Sequence, residues 1–340
     1  MGGGAVALNA APTQRDPAGT ADLTPRPRRR VALFGECMLE LQGQAFGTLR
    51  QGYGGDTLNT AVYLARCGAA AGIRVHYATA LGDDALSSGL LQRWAADGLD
   101  LSLVRRIPGR LPGLYLIDVD AQGERSFSYW RDTSAAKAYF EAGCEQTPTP
   151  LEQRQAEWDA LYLSGISLAI LPSAGRERLF ALMQALRGRG AAVVFDNNYR
   201  PRLWPDAAEA RRCYARAFER ASLALVTADD HQALLGLGDL GEAVAAAQAL
   251  PVPEIAIKRG AAATLVRAAG GDWQQAPTVA VPQVVDTTAA GDSFAAGYMS
   301  RRLAGATALE SAVFGNRLAA RVIQHRGALI APALMDDLLD

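Results

Sequence analysis

Asp286-Thr287-Thr288-Ala289-Ala290-Gly291-Asp292-Ser293-Phe294, with Gly297 close behind, sets two small residues and a glycine just before an acid and an apolar, helix-compatible run. A helix that starts here has backbone N–H groups without intrahelical partners at the positive end of its dipole, and together these make an anion site. A carboxylate beside an anion site is useful when it takes a proton. A hydroxyl that accepts a phosphoryl group needs such a base within hydrogen-bond reach. The plainer alternative is a glycine-bearing turn in which Asp292 caps the helix.

Upstream of this stretch, short apolar runs alternate with longer helix-like segments. Val31 to Gly35 reads as a buried first strand, and Leu161 to Gly165, Val193 to Asp196, Leu223 to Thr227 and Ile255 to Lys258 are runs of the same kind. Arg176 to Arg189 and Asp206 to Ala221 are two of the helical segments between them. The rhythm predicts an α/β fold with a central, mostly parallel sheet and helices on both faces. Ligands of such sheets bind beyond the carboxyl ends of the strands. The residues that end these runs are therefore site candidates.

Two stretches break the rhythm. Leu39 to Tyr53 is polar and glycine-containing with weak alternation, and Gly113 to Trp130 reads as two strands joined by a polar turn at Asp120 to Glu124. Residues of about 39–53 and 113–131 together predict a small β-lid over the open end of the sheet. A lid suits phosphoryl transfer because water in the site would compete with the acceptor. An exposed hairpin with no role is the alternative.

Composition narrows the function classes. A chain of 340 residues can bury a large core, and its formal net charge of −1 offers no broad attraction for nucleic acid or an anionic membrane. Cys37, Cys67, Cys144 and Cys213 lack CxxC spacing, which points to a reducing compartment, and His76, His231 and His325 supply no zinc-type pair. Residues 1–30 carry Gly2-Gly3-Gly4, three prolines and Arg26-Pro27-Arg28-Arg29-Arg30, and are expected to form a disordered extension ahead of a single domain at 31–340. The apolar run after Arg30 is too short for an export signal, and no stretch approaches the ~20 apolar residues of a membrane span. A cytoplasmic location is the expectation.

Several motifs taken in order resemble the ribokinase-like sugar kinases, the PfkB family. The opening stretch resembles that family's C-terminal signature. Gly35-Glu36-Cys37-Met38-Leu39-Glu40, Gly54-Gly55-Asp56-Thr57-Leu58-Asn59-Thr60-Ala61, Phe127-Ser128-Tyr129-Trp130-Arg131 and Phe195 to Trp204 resemble motifs of its 2-keto-3-deoxygluconate kinase branch. The resemblance implies transfer of the ATP γ-phosphoryl group to the terminal hydroxyl of a keto-acid sugar. Asp292 would be the base, and the N–H groups around Ala290, Gly291 and Asp292, with Ala289 beside them, would form the anion hole. It places the sugar at Gly55, Asp56, Asn59, Tyr115, Tyr129, Arg131 and Arg200. It places the nucleotide at Asn198, Thr227, Lys258, Gly260, Ala289, Ala290, Gly291 and Asn316. The family's N-x-x-E motif, linked to magnesium and phosphate, corresponds here to Thr227-Ala228-Asp229-Asp230, so Asp230 would reach Mg2+ through water. The family also implies pairing of subunits through the lid edge.

Each of these residues has a reading of its own. Asp56 and Asn59 can hold sugar hydroxyls or serve a turn before a helix. Tyr129 and Arg131, two apart on a predicted strand, leave the same face, and Tyr115 joins them if the register allows. Two arginines near the sugar favour a substrate with a permanent carboxylate, which guanidinium binds in bidentate fashion. Their plainer roles are a cross-strand cluster and a surface ion pair. A neutral-sugar kinase of the same fold, of fructokinase or ribokinase type, and a non-catalytic sugar-binding relative are the alternatives to a sugar-acid kinase. The intact run from Ala289 to Asp292 counts against the last.

Overall fold

The computed structural model describes residues 29–44, 46–119, 125–141 and 147–339. Its strands in chain order are β1 (Arg29–Phe34), β2 (Met38–Gly43), β3 (Leu49–Gly54), β4 (Ile73–Ala78), β5 (Ala80–Leu81), β6 (Arg105–Arg106), β7 (Gly113–Val119) and β8 (Arg125–Trp130). They continue with β9 (Ala160–Ser164), β10 (Ala192–Asp196), β11 (Leu223–Thr227), β12 (Glu254–Arg259), β13 (Ala262–Arg267) and β14 (Gln274–Ala276). Eight of them form one sheet in the order β14-β13-β12-β11-β10-β9-β1-β4. Every pairing from β12 to β4 is parallel, and only β13 and β14 run antiparallel.

Burial on both faces explains why the strands read as continuous apolar runs. Successive side chains alternate sides: Ala32 and Phe34 enter one core, while Val31 and Leu33 enter the other. The first core is covered by helices Ser173–Gly188 and Ala207–Arg220. The latter turns Ala210, Cys213, Tyr214, Ala217 and Phe218 inward, a 3-4 spacing that forms one apolar stripe. The second core is covered by helices Asp56–Gly68, Ala290–Leu303 and Ala308–Val322. A doubly covered α/β sheet is what the alternating runs predicted.

The first strand begins two residues earlier than the apolar run indicated. Arg29 and Arg30 align with Ile73 and Arg74 of β4. Their guanidinium groups pair with Asp159 at 3.2 Å and Glu157 at 2.5 Å, so the chain extends the strand while keeping its charges at the surface. The remainder of the expected extension, residues 1–28, lies outside the described residues.

β2, β3, β7 and β8 form a second sheet in the order β3-β2-β7-β8, made from the two stretches that broke the rhythm. The register sets Tyr115 opposite Tyr129, so both tyrosines lie on one face. The expected turn at 120–124 lies outside the described residues.

Candidate active site

A cleft of about 400 Å³ opens where the parallel strands end. β10 supplies Asp196, β11 Thr227 and β12 Lys258, while the small sheet supplies Met38, Tyr115, Phe127 and Tyr129. The helix Ala290–Leu303 closes the cleft with Ala290, Gly291 and Asp292.

Asp292 is the third residue of that helix and does not cap it. Ala289 occupies the cap position, without a side-chain cap bond. Helix Asp56–Gly68 packs alongside and brings Asn59 Nδ2 to donate to Asp292 Oδ2 at 2.8 Å. Burial pushes the Asp292 carboxyl well above the ordinary carboxylate range, and the negative charge of Asp56 adds to the effect. The Asn59 amide and the Lys258 ammonium oppose it. The result is a carboxylate primed to take a proton.

The run from Ala289 to Asp292 leaves fewer N–H groups free than the sequence suggested. The Ala290 N–H donates to Thr287 O at 3.2 Å and the Ser293 N–H to Ala289 O at 2.9 Å. The Gly291 and Asp292 N–H groups have no hydrogen-bond partner among the described residues. A Cβ placed on Gly291 would stand 3.5 Å from Lys258 Nζ, so the free donors and the amine flank the same space. Lys258 Nζ donates to Asp196 Oδ2 at 2.9 Å, and both side chains are largely buried. Burial raises the Asp196 carboxyl, and Lys258 holds it back.

Asp56 begins its helix with Oδ2 accepting from Ser164 Oγ at 2.5 Å and Asn198 Nδ2 at 2.7 Å. Asn198 adopts φ +23°, held by an N–H bond to Asn197 Oδ1. Asn197 also ties the end of β10 to β11. Its amide donates to Thr227 O at 2.9 Å and its Oδ1 accepts from Thr227 N at 2.8 Å. At the mouth of the cleft, the half-exposed Arg200 pairs with Asp230 at 3.3 Å. Burial raises the Asp230 carboxyl, and Arg200 works against the rise.

The structure brings together Gly55, Asp56, Asn59, Tyr115, Tyr129, Asn198, Arg200, Thr227, Asp230, Lys258, Ala290, Gly291 and Asp292 on the wall of the cleft. Other expected residues stand elsewhere. Arg131 follows the end of β8 and does not line the cleft; it stands on the face of Met38, with its Nη2 donating to the buried Glu36. Gly260, at φ +58°, shapes the β12–β13 turn away from the cleft. Asn316 is spent on structure: its amide donates to Ala276 O and Pro277 O, and its Oδ1 accepts from Thr264 Oγ1. Ala289 is buried behind the wall, where its carbonyl accepts from Ser293 Oγ at 2.7 Å. Gly55, on the cleft wall, also needs to be glycine because of a backbone neighbour, since a Cβ there would lie 2.2 Å from Glu36 O.

Sequence reasoning gave no site role to Asp196, Ser164, Glu36 or the pair Thr287 and Thr288, which line or support the cleft. Asp196 and Ser164 end strands and so carried a positional signal. The hydrogen bonds of Ser164 and the ion pair of Glu36 depend on long-range contacts that no local pattern announces.

A buried carboxyl and an amine stand beside two N–H groups free among the described residues, at the carboxyl ends of a mostly parallel sheet. Fold and site together define a phosphotransferase with an alcohol group as acceptor. The chain belongs to the PfkB family: the sequence profile of the pfkB family carbohydrate kinases matches residues 28–334. It is 45% identical over 304 residues to 2-dehydro-3-deoxygluconokinase of Escherichia coli K12, covering 89% of this chain and 97% of that one. Fructokinase of Salmonella typhimurium is 30% identical over 275 residues, 80% of this chain and 83% of its own. Among solved structures, the PfkB protein from Polaromonas sp. JS666 superposes with a TM-score of 0.75 at 25% identity, covering 87% of this chain and 96% of that one.

Proposed function

We propose that this protein transfers the γ-phosphoryl group of ATP to the terminal hydroxyl of 2-keto-3-deoxygluconate, the reaction of a 2-dehydro-3-deoxygluconokinase. The observation that carries the chemistry is the buried Asp292 carboxylate beside the unpaired N–H groups of Gly291 and Asp292. The acceptor assignment draws on the 45% identity to the E. coli enzyme of that name against 30% to the fructokinase.

In this reading the sugar lies between the small sheet and Asp56, with its terminal hydroxyl at Asp292. Asp292 takes the proton as the oxygen attacks. The Gly291 and Asp292 N–H groups and Lys258 Nζ stabilise charge on the transferring group. Asn59 holds the carboxylate in place through its 2.8 Å hydrogen bond. The small sheet acts as a lid, shielding the reaction from water. Magnesium suits the donor set, since Asp196 and Asp230 put two carboxylates on the cleft wall. Both are already paired with cations, and no cluster of three or more His, Cys, Asp or Glu fit for a metal occurs among the described residues. The ion would therefore ride on nucleotide phosphates and water, with Asp230 holding one of those waters, and it would neutralise phosphate charge.

The face of the lid turned from the cleft aligns the largely exposed Trp130 with the half-buried Leu114 and with Leu39, which is itself buried in the second core. The exposed Trp130 on this face supports a homodimer joined through the lid. Light scattering should give twice the mass of one chain, and a monomer at all concentrations would remove the idea. No helix among the described residues is long and apolar enough to cross a membrane, and the free thiols of Cys37, Cys67 and Cys213 support a cytoplasmic setting.

Arg200→Ala tests the sugar-acid assignment, because Arg200 is the arginine that lines the cleft. Loss of this cation should raise KM for the sugar acid at least ~10-fold, as for a lost charged hydrogen bond. KM for ATP should stay within about twofold. Equal rises for both substrates, or none, would count against carboxylate recognition at this end.

A further inference from the structure

We infer that Glu36 is a positioning residue for sugar binding, fixing Arg131 at the root of the lid. Residues 36, 38 and 40 share one face of β2 and its lead-in, since side chains on extended chain alternate. Met38 lines the cleft, and the two acids on either side of it each hold a sugar-end residue. Glu40 accepts from the Tyr115 hydroxyl, and Glu36 accepts from Arg131. Glu36 precedes the first strand of the lid and Arg131 follows the last, so the pair joins the points where the chain enters and leaves it.

The pair is deeply buried, with side chains 1% exposed for Glu36 and 9% for Arg131. Glu36 Oε1 and Arg131 Nε both lack a partner among the described residues. A surface ion pair of this kind would matter little, but removing one charge from a buried pair strands the other. Arg131 without Glu36 would leave for solvent. Tyr129 lines both the cleft and the depression in which Arg131 sits, so it would lose the side chain behind it. Sugar binding should weaken while the helix N-terminus, Asp292 and Lys258 keep their geometry. The inference rests on the reading that a sugar acid is the acceptor.

The test uses the intact chain with ATP and 2-keto-3-deoxygluconate. Glu36→Gln keeps size and an acceptor but removes the charge, and should raise KM for the sugar acid about 10-fold or more, with kcat and KM for ATP within twofold. Glu36→Asp keeps the charge but withdraws it by one methylene, and should show the same split with a lowered Tm. In the Arg131→Ala background, Glu36→Gln should leave KM for the sugar acid unchanged and raise Tm, because it removes a carboxylate with no partner. Rescue of folding in that double variant would equally establish the coupling if Glu36→Gln alone is unstable. Unchanged KM for the sugar acid in folded Glu36→Gln or Glu36→Asp would overturn the role of Glu36. So would independent, multiplying effects of the Glu36 and Arg131 substitutions. A wild-type protein inactive on the sugar acid would instead sink the acceptor assignment.

Discussion

Asp292→Asn is expected to lower kcat by roughly 100- to 10,000-fold, the usual contribution of a general base, while making the protein more stable at neutral pH. Asparagine keeps the size but cannot accept a proton. The local hydrogen bonding survives, because Asn59 Oδ1 has no partner and its amide can rotate to accept from the new Nδ2. The stability gain follows from the direction of the Asp292 shift. A carboxyl whose folded pKa lies above its unfolded value imposes no ionisation cost below the unfolded pKa, about 3.9. The cost then grows as pH rises towards the folded pKa and stays constant above it. At pH 7, well above the unfolded value, the wild type bears such a cost and the asparagine variant does not. Thermal unfolding should therefore give a higher Tm for the variant at pH 7 and a smaller difference near pH 4. The same shift places the acid limb of the wild-type kcat/KM profile above the ordinary carboxylate range. Near-wild-type kcat in the variant would remove Asp292 from the role of base.

Gly291→Val should lower kcat by roughly 100-fold or more, the loss typical of a blocked oxyanion donor, in a protein that still folds. Gly291 is not in the left-handed region, so its conformation does not demand glycine. A Cβ there makes ordinary contact at 3.5 Å with Lys258 Nζ. The branches of valine would instead fill the gap between the free N–H groups and the amine, where the anion is to sit. Turnover per folded molecule, with unfolding followed in parallel, decides the matter. A well-folded variant with normal turnover would show that Gly291 merely opens a helix.

The large sheet was legible because both of its faces are buried, which turns each parallel strand into a plain apolar run such as Leu223 to Thr227. β4 was harder to read, since Arg74 and His76 interrupt its apolar residues. The antiparallel edge of β13 and β14 also went unread. Within the site, Asp292 and Gly291 were readable because both stand at a helix start, whereas the bond from Asn59 to Asp292 spans 233 positions and was not. Arg131 was misplaced for the same reason. Strand periodicity assigns a face, but the strand ends at Trp130, and a partner 95 positions away decides where the guanidinium goes. Asn316 shows the same limit, because its three hydrogen bonds to β13 and the segment of Ala276 and Pro277 occupy the amide that the family resemblance assigned to the nucleotide.

The most direct test of the proposed reaction is ATP-dependent phosphorylation by the wild-type protein across a panel holding 2-keto-3-deoxygluconate, its galactonate epimer, fructose and ribose. The account predicts kcat/KM for the gluconate acid at least about 100-fold above either neutral sugar, a margin of the kind that guanidinium pairing with a carboxylate supplies, with phosphate on the terminal hydroxyl. Preference for fructose or ribose, or no ATP-dependent phosphorylation of the acid at all, would contradict it.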